Sequence, residues 1–256
     1  MAESVFLSDC KVWNGGYALE GSINNVSLTI GNSELADNRM GDVQEAKYPG
    51  LLSPQFSAKG FYSASVAASG EPDAVLFPRL HSDVTSWPVT VCPPQAPGAA
   101  AGADGNLAYT MWGAEFSYEI SASHGELLPY TFKKLPRSGG TITRDTILLP
   151  RATVSATTTG TGRDLGAITA SQRLVATLHV FAINGGSWVL TLESDDNSGF
   201  TTPTTRATFT AVTSAPNRQQ QTANGAITDN WWRFVLTKTG GTSINASATL
   251  GFCPIP

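Results

Sequence analysis

Charge is what this 256-residue chain has least of: 16 Lys and Arg with 20 Asp and Glu make up 14% of the residues, against about a quarter in an ordinary globular domain. The formal net charge is −4, and no Lys/Arg cluster is available to neutralise phosphates. That excludes a strong grip on nucleic acid, though not a neutral or acidic conduit through which DNA passes. Cysteine is also scarce. Cys10, Cys92 and Cys253 are odd in number and widely spaced, with no CxxC pair, which excludes a disulfide framework and a zinc site and points to synthesis in a reducing cytoplasm. No apolar run approaches the roughly 18 residues of a spanning helix. The opening residues carry Glu3 where a basic n-region would stand, so no secretion signal and no membrane partner are expected.

Catalytic patterns are missing too. His81, His124 and His179 lie far apart without an HxxxH pair, and no GxSxG elbow occurs. Gly160-Thr161-Gly162-Arg163-Asp164 lacks the lysine of a phosphate loop and reads as a turn. The one oxygen-rich cluster is Asp195-Asp196-Asn197-Ser198-Gly199, where Asp195 and Asn197 would suit calcium. Arg206 stands where an EF-hand needs its bidentate Glu, so an Asx turn is the better reading. The Trp231-Trp232 pair would stack on sugar only if exposed; neighbours on a strand face opposite ways, and core packing fits better. No catalytic residue, cofactor or metal is expected, and the chain is not read as an enzyme.

What the chain has is β patterning, organised around Ile23–Ser65. Val26, Leu28 and Ile30 alternate with Ser27 and Thr29, and Phe56, Ala58, Gly60 and Tyr62 alternate with Ser57, Lys59 and Phe61, which predicts two strands. Between them Glu34, Asp37, Arg39, Asp42, Glu45 and Lys47 share a glycine- and proline-bearing connection too long for a tight turn. Six ionisable side chains in one loop of a charge-poor chain predict a surface that meets a partner. These six are the candidate assembly contacts.

Before this stretch, residues to about 21 read as an extended arm. After it, Ser69 as N-cap, Pro72 and Asp73 in the first turn and the run Ala74 to Phe77 predict one helix, kept short by Pro78 and the glycine-free tail. Trp87, Val89 and Val91 form a strand, and Pro97 to Gly105 a loop. Leu107 to Ile120 reads as one bent strand with a bulge near Gly113, partnered by Leu128, Tyr130 and Phe132. Ser138-Gly139-Gly140 is a hinge, giving domains 1–140 and 141–256. The second domain reads as six strands, 147–154, 174–183, 188–193, 207–212, 231–237 and 244–252, with Asn184-Gly185-Gly186 as a hairpin turn. Leu174, Ala176, Leu178, Val180 and Ala182 line one face of a strand whose other face carries Val175, Phe181 and Ile183, so that strand is central. Two-sided strands predict a sandwich or jelly roll.

The residues then form a resemblance. Gly41-Asp42 to Pro49-Gly50-Leu51, Phe56-Ser57-Ala58-Lys59-Gly60-Phe61, Asp73-Ala74-Val75-Leu76-Phe77 and Glu126-Leu127-Leu128-Pro129-Tyr130 resemble the major tail protein, or tail tube protein, of long-tailed bacteriophages. Glu193 to Phe200 and Ile227 to Arg233 are similar to β-sandwich modules appended to such proteins. The resemblance implies a mainly β fold: a tail-tube-like β-barrel or sandwich with one short helix over 1–140, then a jelly-roll-like β-sandwich decoration domain over 141–256. It further implies rings, commonly of six subunits or three where both halves are tube-like, whose sheets join into a barrel. The rings would stack into a tube for DNA, capped by other tail proteins and residing in the virion tail. The competing reading is a carbohydrate- or receptor-binding tail module, motivated by the second half and the Thr-rich stretch 201–213.

Overall fold

A computed structural model describes residues 9–36, 47–62, 71–80, 87–96, 99–136 and 142–255. The chain is mainly β, 62% strand and 5% helical. Its elements in chain order are β1 (Lys11–Asn14), β2 (Tyr17–Ala18), β3 (Ile23–Thr29), β4 (Asn32–Ala36), β5 (Lys47–Leu52), β6 (Gln55–Phe61), α1 (Pro72–Leu80), β7 (Trp87–Cys92), β8 (Leu107–Ile120) and β9 (Pro129–Pro136). There follow β10 (Ile142–Val154), β11 (Thr158–Thr159), β12 (Arg163–Asp164), β13 (Gln172–Asn184), β14 (Ser187–Asp195), β15 (Thr204–Thr208), β16 (Asn217–Asn224), β17 (Trp231–Thr239) and β18 (Ser243–Pro254).

These elements form two compact units that are not consecutive segments. The larger holds 1–20, 87–110 and 143–256; the smaller holds 21–86 and 111–142. The boundary expected near 140 lies close to the last crossing, while residues 1–20 and 87–110 of the expected first domain share strands with the C-terminal part. β1 is laddered to β7, for instance, with Trp13 opposite Thr90. The proposed hinge at Ser138-Gly139-Gly140 and the N-cap Ser69 lie outside the described residues.

In the larger unit a five-stranded sheet, with β17 between β14 and the short β11 and β12, and β15 beyond β14, packs on the strands β16-β13-β18-β10. The core between them takes Leu174, Leu178 and Val180 from β13, Ala248 and Leu250 from β18, Trp188 and Leu190 from β14, and Trp232 and Phe234 from β17. This is the expected sandwich, and β13 is its central strand, paired to β16 on one side and β18 on the other. A bulge between Val180 and Ala182 resets the alternation. Ile183 therefore joins this core, while Phe181 packs on the opposite face beside Trp13. The same strand order continues through β10, the first residues of β8, β7, β1 and β2.

That sheet curls until its two ends meet without hydrogen-bonded closure. The Gly15-Gly16 turn between β1 and β2 abuts the other end of the sheet: a Cβ on Gly16 would stand 2.3 Å from the Val180 carbonyl oxygen. His179 Nδ1 donates to the Gly15 carbonyl. A closed barrel is thus not formed; backbone turn and side chains bridge the gap where a ladder would stand. The concave face carries buried Thr90, Thr110, Thr249, Asp145 and His179.

Four sequence expectations are corrected here. Asn184-Gly185-Gly186 is not a hairpin: β13 and β14 belong to different sheets, and the turn carries the chain across the sandwich. Gly160 to Asp164 is not simply a turn, because Arg163 and Asp164 form an edge strand opposite Trp232 and Trp231. The strand expected at 207–212 is β15, shifted to Thr204–Thr208, and Val212 only bridges Trp188. Lastly, β16 went unpredicted because Asn217 to Asn224 carries no apolar alternation.

The smaller unit is the antiparallel order β3-β6-β9-β8 with α1. β8 is the expected long strand; its register shift falls between Glu115 and Ser117, just beyond Gly113. A Cβ at Gly113 would lie 2.4 Å from the Leu135 carbonyl oxygen, so glycine there permits close strand approach instead. Phe56, Tyr130 and Phe132 make an aromatic core, with ring centroids 5.4 Å apart for Phe56 and Phe132. Inside it lies an ion pair, Lys134 Nζ to Glu115 Oε1 at 3.9 Å, with both side chains buried. Pro72 opens α1, Asp73 sits in its first turn and Arg79 in its last. The helix is short, nine residues, and Pro78 lies inside it, two residues before its last residue Leu80. Val75 and Leu76 are buried and Phe77 is exposed.

Candidate assembly surface

The loop expected between the two strands of the organising stretch is a second strand pair. β3 pairs with β6 from Ile23 opposite Gly60 to Thr29 opposite Gln55. Beyond the Ile30-Gly31 and Ser53-Pro54 interruptions, where Ser53 N–H donates to the Gly31 carbonyl at 2.7 Å, the chains pair again as β4 and β5. The result is a two-stranded ribbon with every residue of β4 exposed. Among the described residues neither strand pairs with any other strand, so there each presents one unpaired backbone edge. Pro49, opposite Glu34, removes one donor from the ladder, as suits an edge strand.

Of the six candidate contacts, the structure brings two together. Lys47 Nζ meets Glu34 Oε2 at 2.6 Å across the ribbon, with 49% and 71% of the side chains exposed. A pair so wet contributes about 0–1 kcal/mol. Asp37, Arg39, Asp42 and Glu45 lie outside the described residues. The apolar groups are the stronger feature. Leu35 and Tyr48 face each other in register and are 58% and 57% exposed; Leu51 is 85% and Leu52 53% exposed. Cross-strand pairs stabilise a ribbon, yet two strands without a covered face are marginal in water. The rest of the smaller unit adds Ile30, Phe61, Phe77, Phe116, Ile120, Leu127 and Leu128 at the surface. In the sequence, Leu35, Tyr48, Leu51 and Leu52 stand out beside the charges because they share the connection too rich in charge, glycine and proline to pack a core; Phe116 and Leu127 do not, because alternation tells which residues share a face and not whether that face is covered.

His179 is fully buried: with Nδ1 donating to Gly15, its Nε2 takes the Thr90 hydroxyl at 2.8 Å. Thr90 meets Thr110 at 2.9 Å, Thr110 meets Thr249 at 3.4 Å, and Thr249 donates to Asp145 Oδ2 at 2.6 Å. Burial pushes the Asp145 carboxyl up to about 6, opposed by hydrogen bonds from Thr110, Thr143 and Thr249. His124 is exposed in a turn, and His81 lies outside the described residues. At Asp195 to Gly199 both carboxylate oxygens of Asp195 accept backbone N–H bonds, from Asn197 at 3.2 Å and Thr202 at 2.9 Å, while Asn197 Oδ1 accepts from Gly199. This is an Asx turn. Arg206 binds Asp229 at 2.7 Å and Ser194 at 2.7 Å, and the carboxyl of Asp229 is held low by its bonds from Ser194 and Arg206. Trp232 is buried, its Nε1 donating to the Gly166 carbonyl at 3.0 Å. Among the described residues no group of three metal-ligating side chains converges, and no helix is long and apolar enough to cross a membrane.

No protein-family model matches the chain, and no curated protein matches it. Among solved structures, it is similar to a chain of the cryo-EM structure of an extracellular contractile injection system, the PVC sheath-tube complex in its extended state. The two are 13% identical over 55% of this chain and 92% of that one, with a TM-score of 0.38.

Proposed function

We propose that the chain is a structural subunit of a phage-type tail tube, polymerising as stacked rings that form a conduit for DNA. The observation that carries this reading is the uncovered apolar surface of the smaller unit, above all the ribbon β4–β5 with Leu35, Tyr48, Leu51 and Leu52 in water. Such patches in a soluble protein mark a surface that another protein covers, and unpaired strand edges are templates for pairing between copies. Fixing mobile backbone on assembly costs about 1–2 kcal/mol per residue. The exposed Glu34–Lys47 pair offsets little of that, so apolar burial at about 25 cal/mol per Å² supplies the gain. In this reading the partners are other copies, in rings of six or three, and other tail proteins at the tube ends. DNA passes without specific binding, the subunit is made in the host cytoplasm and resides in the virion tail, and it performs no catalysis.

Negative-stain microscopy of the purified chain tests the reading, beside a variant in which residues 31–53 are replaced by a short Gly-Ser connector. The natural chain is expected to form rings or tubes and the variant a folded monomer, with added salt slowing assembly only modestly. Tubes of normal length from the variant would remove the ribbon from the mechanism. A natural chain that stays monomeric at high concentration would favour the binding-module alternative.

A further inference from the structure

Among the described residues, the large exposed apolar side chains of the smaller unit gather, except for Phe77 and Phe116, at the two ends of β6. β6 runs from Gln55, opposite Thr29, to Phe61, one residue past Gly60, which lies opposite Ile23. Its ends are therefore about 20 Å apart at ~3.3 Å per residue. At the Gln55 end the ribbon leaves the sheet, carrying Leu35, Tyr48, Leu51 and Leu52 with Ile30 at its base. At the far end Phe61 and Ile120 are 47% and 40% exposed, and Leu127 and Leu128 are 72% and 39% exposed. Register holds this second group together: Phe61 lies opposite Pro129, Ile120 opposite Tyr130, and the Tyr62 N–H donates to the Leu128 carbonyl at 2.7 Å.

The two ends differ in shape. The ribbon projects, with every residue of β4 exposed and Leu51 at 85%. The far end is hollow: a cavity of about 380 Å³ opens beside Phe61, walled by Ile23, Asn24, Tyr62 and Glu71 with the small residues Gly21 and Ser22. Clefts of about 300–1,000 Å³ take whole small ligands, so this one has room for side chains of a ribbon. The Glu34–Lys47 pair is neutral as a whole and brings no net charge toward Glu71. A two-fold contact of ribbon on ribbon would cover one end and leave the other in water, whereas one head-to-tail contact between copies covers both. Such a contact, between two different patches of the same chain, continues from copy to copy unless its rotation closes a ring.

The geometry points to a second copy of this chain as the occupant of the hollow: Leu51 and its neighbours on the ribbon of one copy enter the cavity beside Phe61 of the next, flanked there by Leu127 and Leu128. This contact rests on the assembly reading and adds to it a polarity and an acceptor. The test mixes two variants of the full chain. Leu51→Asp spoils the projecting end, and Leu127→Asp, at an exposed position, places a charge beside the hollow without entering a core. Each variant alone is expected to polymerise about tenfold more slowly than the natural chain, or not at all, with the melting temperature unchanged. Mixed in equal amounts, they are expected to give two-layer particles in sedimentation and negative stain and none longer, because each joint uses one intact ribbon and one intact hollow. Phe61→Ser repeats the second arm at the wall of the cavity. The inference is overturned, with the assembly reading intact, if the natural chain polymerises and both Leu127→Asp and Phe61→Ser keep its rate. It is overturned equally if Leu127→Asp, whose ribbon is whole, stacks on itself, or if the mixture gives nothing larger than either variant alone. A natural chain that stays monomeric removes the assembly reading and this contact with it.

Discussion

In the larger unit Trp13, Trp188 and Trp232 are each at most 1% exposed, and among the described residues Ile255 is its one large apolar side chain at the surface. The smaller unit buries Phe56, Tyr130 and Phe132 as completely, but its core also holds the Lys134–Glu115 pair, and it leaves Leu51, Leu127 and Phe116 at 85%, 72% and 63% exposure. One unit meets its own need for apolar burial, while the other defers part of it. Under the proposed assembly role this separates two tasks, because changes to the exposed apolar surface then leave the stabilising core alone.

The sharpest way to break this contrast is to damage the self-sufficient core. Trp232→Ala removes a fully buried indole and its bond to Gly166, and is expected to cost about 3–5 kcal/mol in denaturant unfolding. A loss under ~1 kcal/mol would mean that the sandwich does not dominate stability. Next in size is a pH effect confined to the larger unit. The folded carboxyl of Asp145 titrates near 6, above the ordinary 3.8, so ionising it costs stability at neutral pH. That cost, on the order of 2–3 kcal/mol, is relieved as pH falls from about 6 toward 4. Thermal melts between pH 7 and pH 5 should therefore show the protein gaining stability on acidification, and Asp145→Asn should flatten the gain. The carboxyls of Asp9 and Asp229, held low by their partners, work in the opposite sense only below this window.

Smaller still for folding, and decisive for assembly, is Leu51→Ser. At 85% exposure it should change unfolding free energy by less than about 0.5 kcal/mol. Light scattering of the same variant should show polymerisation slowed severalfold or lost. If stability drops and assembly does not, Leu51 belongs to the core of the free subunit and the division of tasks is wrong. The smallest expectation is no change: chelation with excess EDTA leaves the melting temperature in place, since backbone N–H groups already occupy the Asp195 carboxylate.

The core strands were legible in sequence because their patterns are two-sided. Leu174 to Val180 announces a central strand, and Trp232, Phe234 and Leu236 a buried face. Partnership was much less legible. Asn184-Gly185-Gly186 specifies a tight left-handed turn, but nothing local decides whether the next strand joins the same sheet or the facing one. The polar strand Asn217 to Asn224 is held by its ladder to β13, which leaves no mark on side-chain pattern. At the candidate site Glu34 and Lys47 were found by charge. The ribbon that carries them was hidden by glycine and proline that read as breakers: Gly31 and Pro54 sit at the interruptions between two paired stretches, and Pro49 lies within the ladder of β5, opposite Glu34.

Two of the turns that carry the chain across the sandwich, Gly185-Gly186 and Gly240-Gly241, lie against each other. A Cβ on Gly186 would stand 2.3 Å from the Gly240 carbonyl carbon and one on Gly241 2.1 Å from the Gly185 oxygen, and all four residues have φ between 70° and 80°. No side chain can be added at Gly186 or Gly241 without parting the two turns. This closes one pair of turns to variation and to engineering. Inserted peptides placed at Gly186 or Gly241 would have to part the two turns, so a display scaffold built on this chain would carry its cargo in other connections, such as 196–203.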